Sequence, residues 1–157
     1  MRDRRFVAVH RGGPLSKEDH RRLAAWAADC AERLLPVFEQ TSPDPRPRTA
    51  IAVARAWARE EVPVGEAQKA SVAAHAAARV ATGKAVAAAR AAGHAVATAH
   101  MAEHSLGAVI YGLKAVDPDE VAAEHAWQLS QLPADLLELV GSALARRLPG
   151  RFPIRME

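Results

Sequence analysis

From Lys17 onward the apolar positions of this chain recur every three or four residues, the period of an α-helix rather than a strand. Leu23, Trp26, Ala27, Cys30, Leu34, Val37 and Phe38 form one stripe, which predicts a first helix from about Lys17 to Glu39. Ser16 suits its N-cap, with Asp19 three residues on in a capping-box-like position. Pro36, near the end, kinks or shortens it. In Ser42-Pro43-Asp44-Pro45-Arg46-Pro47 three alternating prolines favour an extended linker. A second helix runs from roughly Pro47 to Glu61, with Ile51, Ala54, Trp57 and Ala58 on one face and Arg48, Arg55 and Arg59 on another. Val62–Gly65 is a turn.

A third helix, about Gly65 to Ala81, carries a small-residue stripe of Ala67, Ala70, Ala74, Ala77 and Ala81, and Thr82-Gly83 breaks it. Lys84 to Val116 reads as one long helix, or as two with a joint near Gly93 or Thr98. Asp117 as N-cap, Pro118 at the first helical position and Glu120 open another helix that ends near Gln131. Leu132-Pro133 opens the last, with Leu136, Leu137, Val140 and Leu144 on its buried face. Leu148-Pro149-Gly150 stops it. The expected organisation is an N-terminal arm over 1–15, a single helical domain over 16–148 and a C-terminal tail over 149–157. In the arm, Phe6-Val7-Ala8-Val9 is a short strand or an apolar strap. The fold class is all-α: a bundle of six or seven helices, or a short helical-hairpin solenoid. For the solenoid speaks a weak repeat, Ala50–Ala56 against Ala85–Ala91. Its offset of about 35 residues, near the period of helical-hairpin repeats, places a turn near Ala97–Ala99.

Composition sharpens this picture. Half of the 157 residues are hydrophobic but only 4% are aromatic, and about a quarter are Ala. Alanine favours helices because its side chain loses no rotamer entropy, yet it buries little area. Trp26, Trp57, Trp127, Phe38, Tyr111 and the leucines must therefore anchor the core. Net charge is +3 with acidic and basic residues interleaved, which reads as a solvated surface and disfavours nucleic acid as a partner. The single cysteine, Cys30, lies on the first helix's core stripe, where a buried structural thiol is expected. No stretch is long and apolar enough for a signal peptide or a membrane span, so the expected location is the cytoplasm, with no membrane partner.

Candidate chemistry gathers on histidines. Gly93, Ala97, His100, His104, Gly107 and Tyr111 recur in steps of four and three, as positions stacked on one helical face do. Gly and Ala there let a neighbouring helix approach and partly enclose the imidazoles. His100 and His104 have the spacing of a two-histidine metal pair and, with Glu103, spell His-x-x-Glu-His, an order used by one class of metallopeptidases. No third ligand is marked; His75, His94, His125 and several Glu residues are candidates only. The reading is of hydrogen-bonded, partly buried histidines, with His75, His94, His100 and His104 as the candidate partner- or ligand-binding set. No metal, cofactor or catalytic residue is assigned. A small-ligand or metal site around His100 and His104 is the alternative. The Gly-rich phosphate loop and the Gly-x-Ser-x-Gly elbow are both missing. Trp57, between Arg55 and Arg59, is either a contact hot spot or an interhelical anchor.

Several segments together resemble a known family. They are Arg46-Pro47-Arg48 through Ile51, Ala54-Arg55-Ala56-Trp57-Ala58-Arg59, Val72-Ala73-Ala74-His75-Ala76-Ala77-Ala78-Arg79, and Ala89 through Met101 with His94 and His100. The set is similar to bacterial immunity proteins, the antidotes of polymorphic toxin systems, over most of the chain from the first helix to Leu132-Pro133. The resemblance implies a non-enzymatic protein that binds and neutralises a cognate protein toxin. Antidotes to nucleases are often acidic mimics of nucleic acid; this basic chain does not fit that mechanism. The small-residue faces also leave a homodimer open.

Overall fold

The computed structural model describes residues 2–148. The tail expected at 149–157, and the stop at Pro149-Gly150, lie outside them. The described residues form seven α-helices: α1 (Lys17–Glu39), α2 (Arg46–Ala58), α3 (Val64–Arg79), α4 (Lys84–Ala97), α5 (His104–Lys114), α6 (Val121–Ser130) and α7 (Leu137–Arg147). The protein is all-α, as expected. No described helix is long and apolar enough to cross a membrane.

Local chemistry sets the helix ends. Ser16 Oγ accepts the Asp19 N–H at 3.1 Å and so caps α1. Pro36 does not end α1, which runs through it to Glu39. Pro45 precedes α2 and Pro47 sits in its first turn, where the missing N–H costs nothing. Gly83, at φ +60° and ψ −142°, adopts a conformation open mainly to glycine and separates α3 from α4.

Helix α4 is the centre of the molecule, packed against α1, α2, α3 and α5. Its Ala88, Ala89, Ala91, Ala92, Ala95 and Val96 are fully buried, and their small side chains permit that many close neighbours. A second core carries the bulk, where Phe6, Leu15, Leu23, Trp26, Cys30, Leu106, Val109, Val140 and Leu144 bring the arm and α7 onto α1 and α5. Each large side chain there contributes roughly 1.5–3 kcal/mol on burial. The Trp26 indole N–H donates to the Gln128 carbonyl at 2.8 Å, tying α1 to α6. Gln128 is itself fully buried beside Gly112, where a Cβ would come within 2.9 Å of its amide nitrogen.

Of the two readings left open for 84–116, the structure takes the second: two helices with a joint that begins at Thr98 and runs as turns to Glu103. Two expectations need correction. Asp117 does not cap α6: Pro118–Glu120 form a turn, and the helix starts at Val121. Leu137 is 41% exposed, because a 3-10 turn at Ala134–Leu136 shifts the register and leaves Leu136, Val140 and Leu144 inside. Of the two readings of the arm, strand or strap, the structure takes the strap. The arm makes 3-10 turns at Arg4–Phe6 and Val9–Arg11 and a single bridge from Ala8 to Leu15, with Phe6, Ala8 and Leu15 buried. The expected turn near Ala97–Ala99 does occur, and α3 ends at Arg79 and α5 at Lys114, the same repeat offset of about 35 residues apart.

Candidate functional site: a cluster of four histidines

His75 projects from the C-terminal half of α3, His94 from the last turn of α4, His100 from the joint, and His104 from the first position of α5. The fold brings all four together. Ring centroids are 5.1 Å apart for His75–His94, 5.3 Å for His94–His104 and 5.1 Å for His100–His104. Tyr111 stacks on His94 at 5.1 Å with an interplanar angle of 15°, and the Lys114 ammonium lies 4.7 Å from the centre of the Tyr111 ring. All four imidazoles are half-buried, so the cluster has an opening to solvent.

Two glycines make the arrangement fit. A Cβ on Gly93 would lie 2.7 Å from His75 Nε2, and one on Gly107 would lie 2.5 Å from His94 Nδ1. The small-residue stripe thus admits imidazoles from neighbouring elements rather than a whole helix. His100 and His104 do not share a continuous helix, as their spacing suggested, because the joint intervenes. Their rings meet across it. The metallopeptidase order is likewise not displayed on a helix. Glu103 instead accepts the Asp3 N–H at 2.7 Å and pairs with Arg147 at 2.9 Å, holding the arm and α7 to the joint.

The electrostatics favour neutral rings. Burial, then the neighbouring charges of His75, His104 and Arg90, holds His94 down to about 4. Burial also lowers His75, reinforced by Arg90 and Arg79, and His100, reinforced by Arg11. His104 is lowered by burial and then by His100 and His75, against an opposing pull from Glu103. Nδ1 of His94 and Nδ1 of His104 lie 3.3 Å apart, so one carries a proton and donates to the other. Nδ1 of His75 and of His100 are buried without a hydrogen-bond partner among the described residues. No group of three or more His, Cys, Asp or Glu among those residues has its donors gathered to hold a metal ion as they stand.

His125, the remaining sequence candidate, lies apart on α6, its Nδ1 3.5 Å from Gln128 Oε1. Cys30 is fully buried, and its thiol is pushed far up by burial, so it is not a nucleophile. Sequence reasoning missed a separate open pocket of about 260 Å³ where the arm meets α1 and the end of α2, lined by His10, Lys17, His20, Arg21, Trp57 and Glu60. Trp57 is partly buried against the His20 ring at 4.8 Å. His20 in turn donates from Nε2 to the Thr98 carbonyl at 2.5 Å. Glu60 closes α2 at φ 63°, an uncommon conformation for a residue with a side chain. The one sequence signal for this pocket was Trp57 between two arginines.

An all-α scaffold built around a central alanine helix, with a histidine cluster on one side and an aromatic pocket on another, is thus the class of molecule at hand. The profile of the family described as "Imm-5 like putative immunity protein" matches residues 13–135, from the end of the arm through α6. The chain belongs to this immunity-protein family. Among curated proteins and among solved structures, no match was found.

Proposed function

We propose that this protein is the antidote of a toxin system, and that it works by binding a cognate protein toxin and covering its active surface, not by catalysis. The family match over 13–135 carries the reading, since it takes in the whole scaffold from α1 to α6. A cytoplasmic site of action goes with it. The pocket around Trp57 is our choice for the centre of the contact. Trp and Arg dominate binding energy at protein interfaces, and here a half-buried Trp57 is flanked by Lys17, Arg21 and Glu60 at the rim of an open depression.

Affinity capture from lysate of cells producing the toxin, washed at low and then high salt, tests the proposal. One stoichiometric protein should survive high salt, and its co-expression should relieve growth arrest. Capture of nucleic acid alone, lost at high salt, would overturn it. Trp57→Ala should weaken the captured complex at least about tenfold, the range of an interface hot spot. Unchanged affinity would move the contact elsewhere on the molecule.

A further inference from the structure

We propose that His94 and His104, joined by His75, form a binding site for a divalent transition-metal ion of the zinc type. The proposal is independent of the toxin-binding reading. It starts from a distance: the two Nδ1 atoms lie 3.3 Å apart. Two imidazole ligands of one tetrahedral zinc ion, each about 2.0–2.1 Å from the metal, have a nitrogen separation of about 3.3 Å. In the protein alone, one hydrogen bond holds the pair at that spacing. The two side chains come from different helices, so their spacing is set by the α4–α5 packing and not by sequence adjacency.

His75 is placed to complete the site. Its ring meets His94 edge-on, with the centroids 5.1 Å apart. Its buried Nδ1 has no hydrogen-bond partner among the described residues. The three donors do not surround one point as they stand. The proposed site takes its third nitrogen from a turn of the His75 ring about its broad, two-fold outer torsion. His100, against His104 on the far side, is a spare donor.

The donor chemistry selects the ion. Ligation needs neutral imidazole, and burial keeps these rings neutral. An all-imidazole set suits zinc, copper or nickel and not calcium or magnesium, which require oxygen. The neighbouring carboxylate, Glu103, is engaged by Arg147 and the Asp3 N–H. The arrangement also costs stability without a ligand. Two glycines in helices and two unpartnered buried nitrogens each cost stability that an aliphatic cluster would keep.

The test is dialysis of the untagged full-length chain against zinc chloride at neutral pH, metal analysis by atomic emission, and affinity by competition with a chromophoric chelator. One zinc ion per chain is expected. His94→Ala and His104→Ala should each weaken binding by at least the roughly 10–100-fold that even an outer-shell partner is worth, and His75→Ala should weaken it as well. His10→Ala, an exposed histidine outside the cluster, should leave it unchanged. Retention of no zinc, or equal retention by His104→Ala, overturns the proposal. Because a variant could fail to fold, the wild-type chain is also titrated with cobalt(II). An absorption spectrum of tetrahedral nitrogen ligation supports the site, and one unchanged from the hydrated ion overturns it.

Discussion

At the scale of single residues, the glycines and histidines of the cluster make one unit. Gly107→Ala drives a Cβ to 2.5 Å from His94 Nδ1, so the ring or the helix must shift. The expected cost is about 1–3 kcal/mol, typical of overpacking, and thermal or urea melts would measure it. Gly141→Ala is the control: it lies within α7, a Cβ there meets nothing within 4 Å, and the change should gain up to about 1 kcal/mol of helix propensity. Equal losses in the two variants would remove the steric argument. The same burial makes stability depend on pH. His20, His75, His94, His100, His104 and His125 all have lowered proton affinity in the folded chain. Between the unfolded value of 6.5 and the folded value, which for His94 is about 4, the unfolded chain binds more protons. Their contribution is therefore complete above about pH 7 and is lost as the pH falls through 6.5 toward 4. His94 alone accounts for on the order of 3 kcal/mol across that window. Arg79, Arg90, Arg11 and Arg147 face the cluster and oppose its protonation, while Glu103 favours it at His104. Melts recorded in a chelator should hold a constant midpoint from pH 8 to 7 and fall steeply below 6; a flat profile down to pH 5 would contradict the neutral-cluster picture.

At the scale of elements, one ion pair fastens α6 to the long first helix. Arg33 Nε donates to Glu124 Oε2 at 2.8 Å and its guanidinium lies 4.2 Å from the centre of the Trp127 ring. Glu124 is 5% exposed, and its other oxygen has no hydrogen-bond partner among the described residues. Arg33→Ala should destabilise by about 2–3 kcal/mol, at or below the lower end for breaking a buried pair because Arg33 itself is partly exposed. Adding Glu124→Gln should recover much of that loss; a double-mutant cycle with no coupling would show that the pair is not worth what its burial suggests. Neither residue stood out in the sequence, since a glutamate and an arginine 91 positions apart look like surface charge until α6 folds back. Features encoded within a few residues were legible: the Ser16 cap, the proline run before α2, the Gly83 break and the apolar stripe of α1. Features set by tertiary packing were not. The 3-10 turn that exposes Leu137 obeys local sequence poorly, and so does the length of the joint, whose start near Thr98 was legible but whose reach to Glu103, past His100, was not. Alanine has no bulk to mark which of its faces is buried. The four histidines were legible as a set, but the contact of His75 with Gly93 and of His94 with Gly107 required the packing of three helices.

At the scale of the whole molecule, the charge pattern bears on the kind of partner this surface can accept. The chain is net basic, yet its arginines on α1 and α2 are largely engaged: Arg21 with Glu60 at 2.5 Å, Arg22 with Asp135 at 2.7 Å, Arg48 with Glu39 at 2.5 Å, and Arg59 with Glu61 at 2.8 Å. Arg55 bridges Asp29 and Glu32. Each exposed pair is worth only about 0–1 kcal/mol to stability, but a phosphate approaching any of these guanidiniums must first displace a carboxylate. Nucleic-acid affinity depends on cations free to replace the counterions of successive phosphates, and its logarithm falls linearly with the logarithm of salt in proportion to their number. The face built by α1 and α2, whose arginines already carry partners, should give weak binding and a shallow slope. Protein partners face no such barrier, because a polar rim of paired charges around an apolar centre is the ordinary anatomy of their interfaces. The chain should therefore elute from heparin at low salt and fail to shift duplex DNA at physiological ionic strength, while a complex with the proposed protein partner persists. A steep salt slope for DNA, abolished by Arg21→Ala or Arg55→Ala, would mean that the pairs open on contact and that the basic charge, not the aromatic pocket, selects the partner.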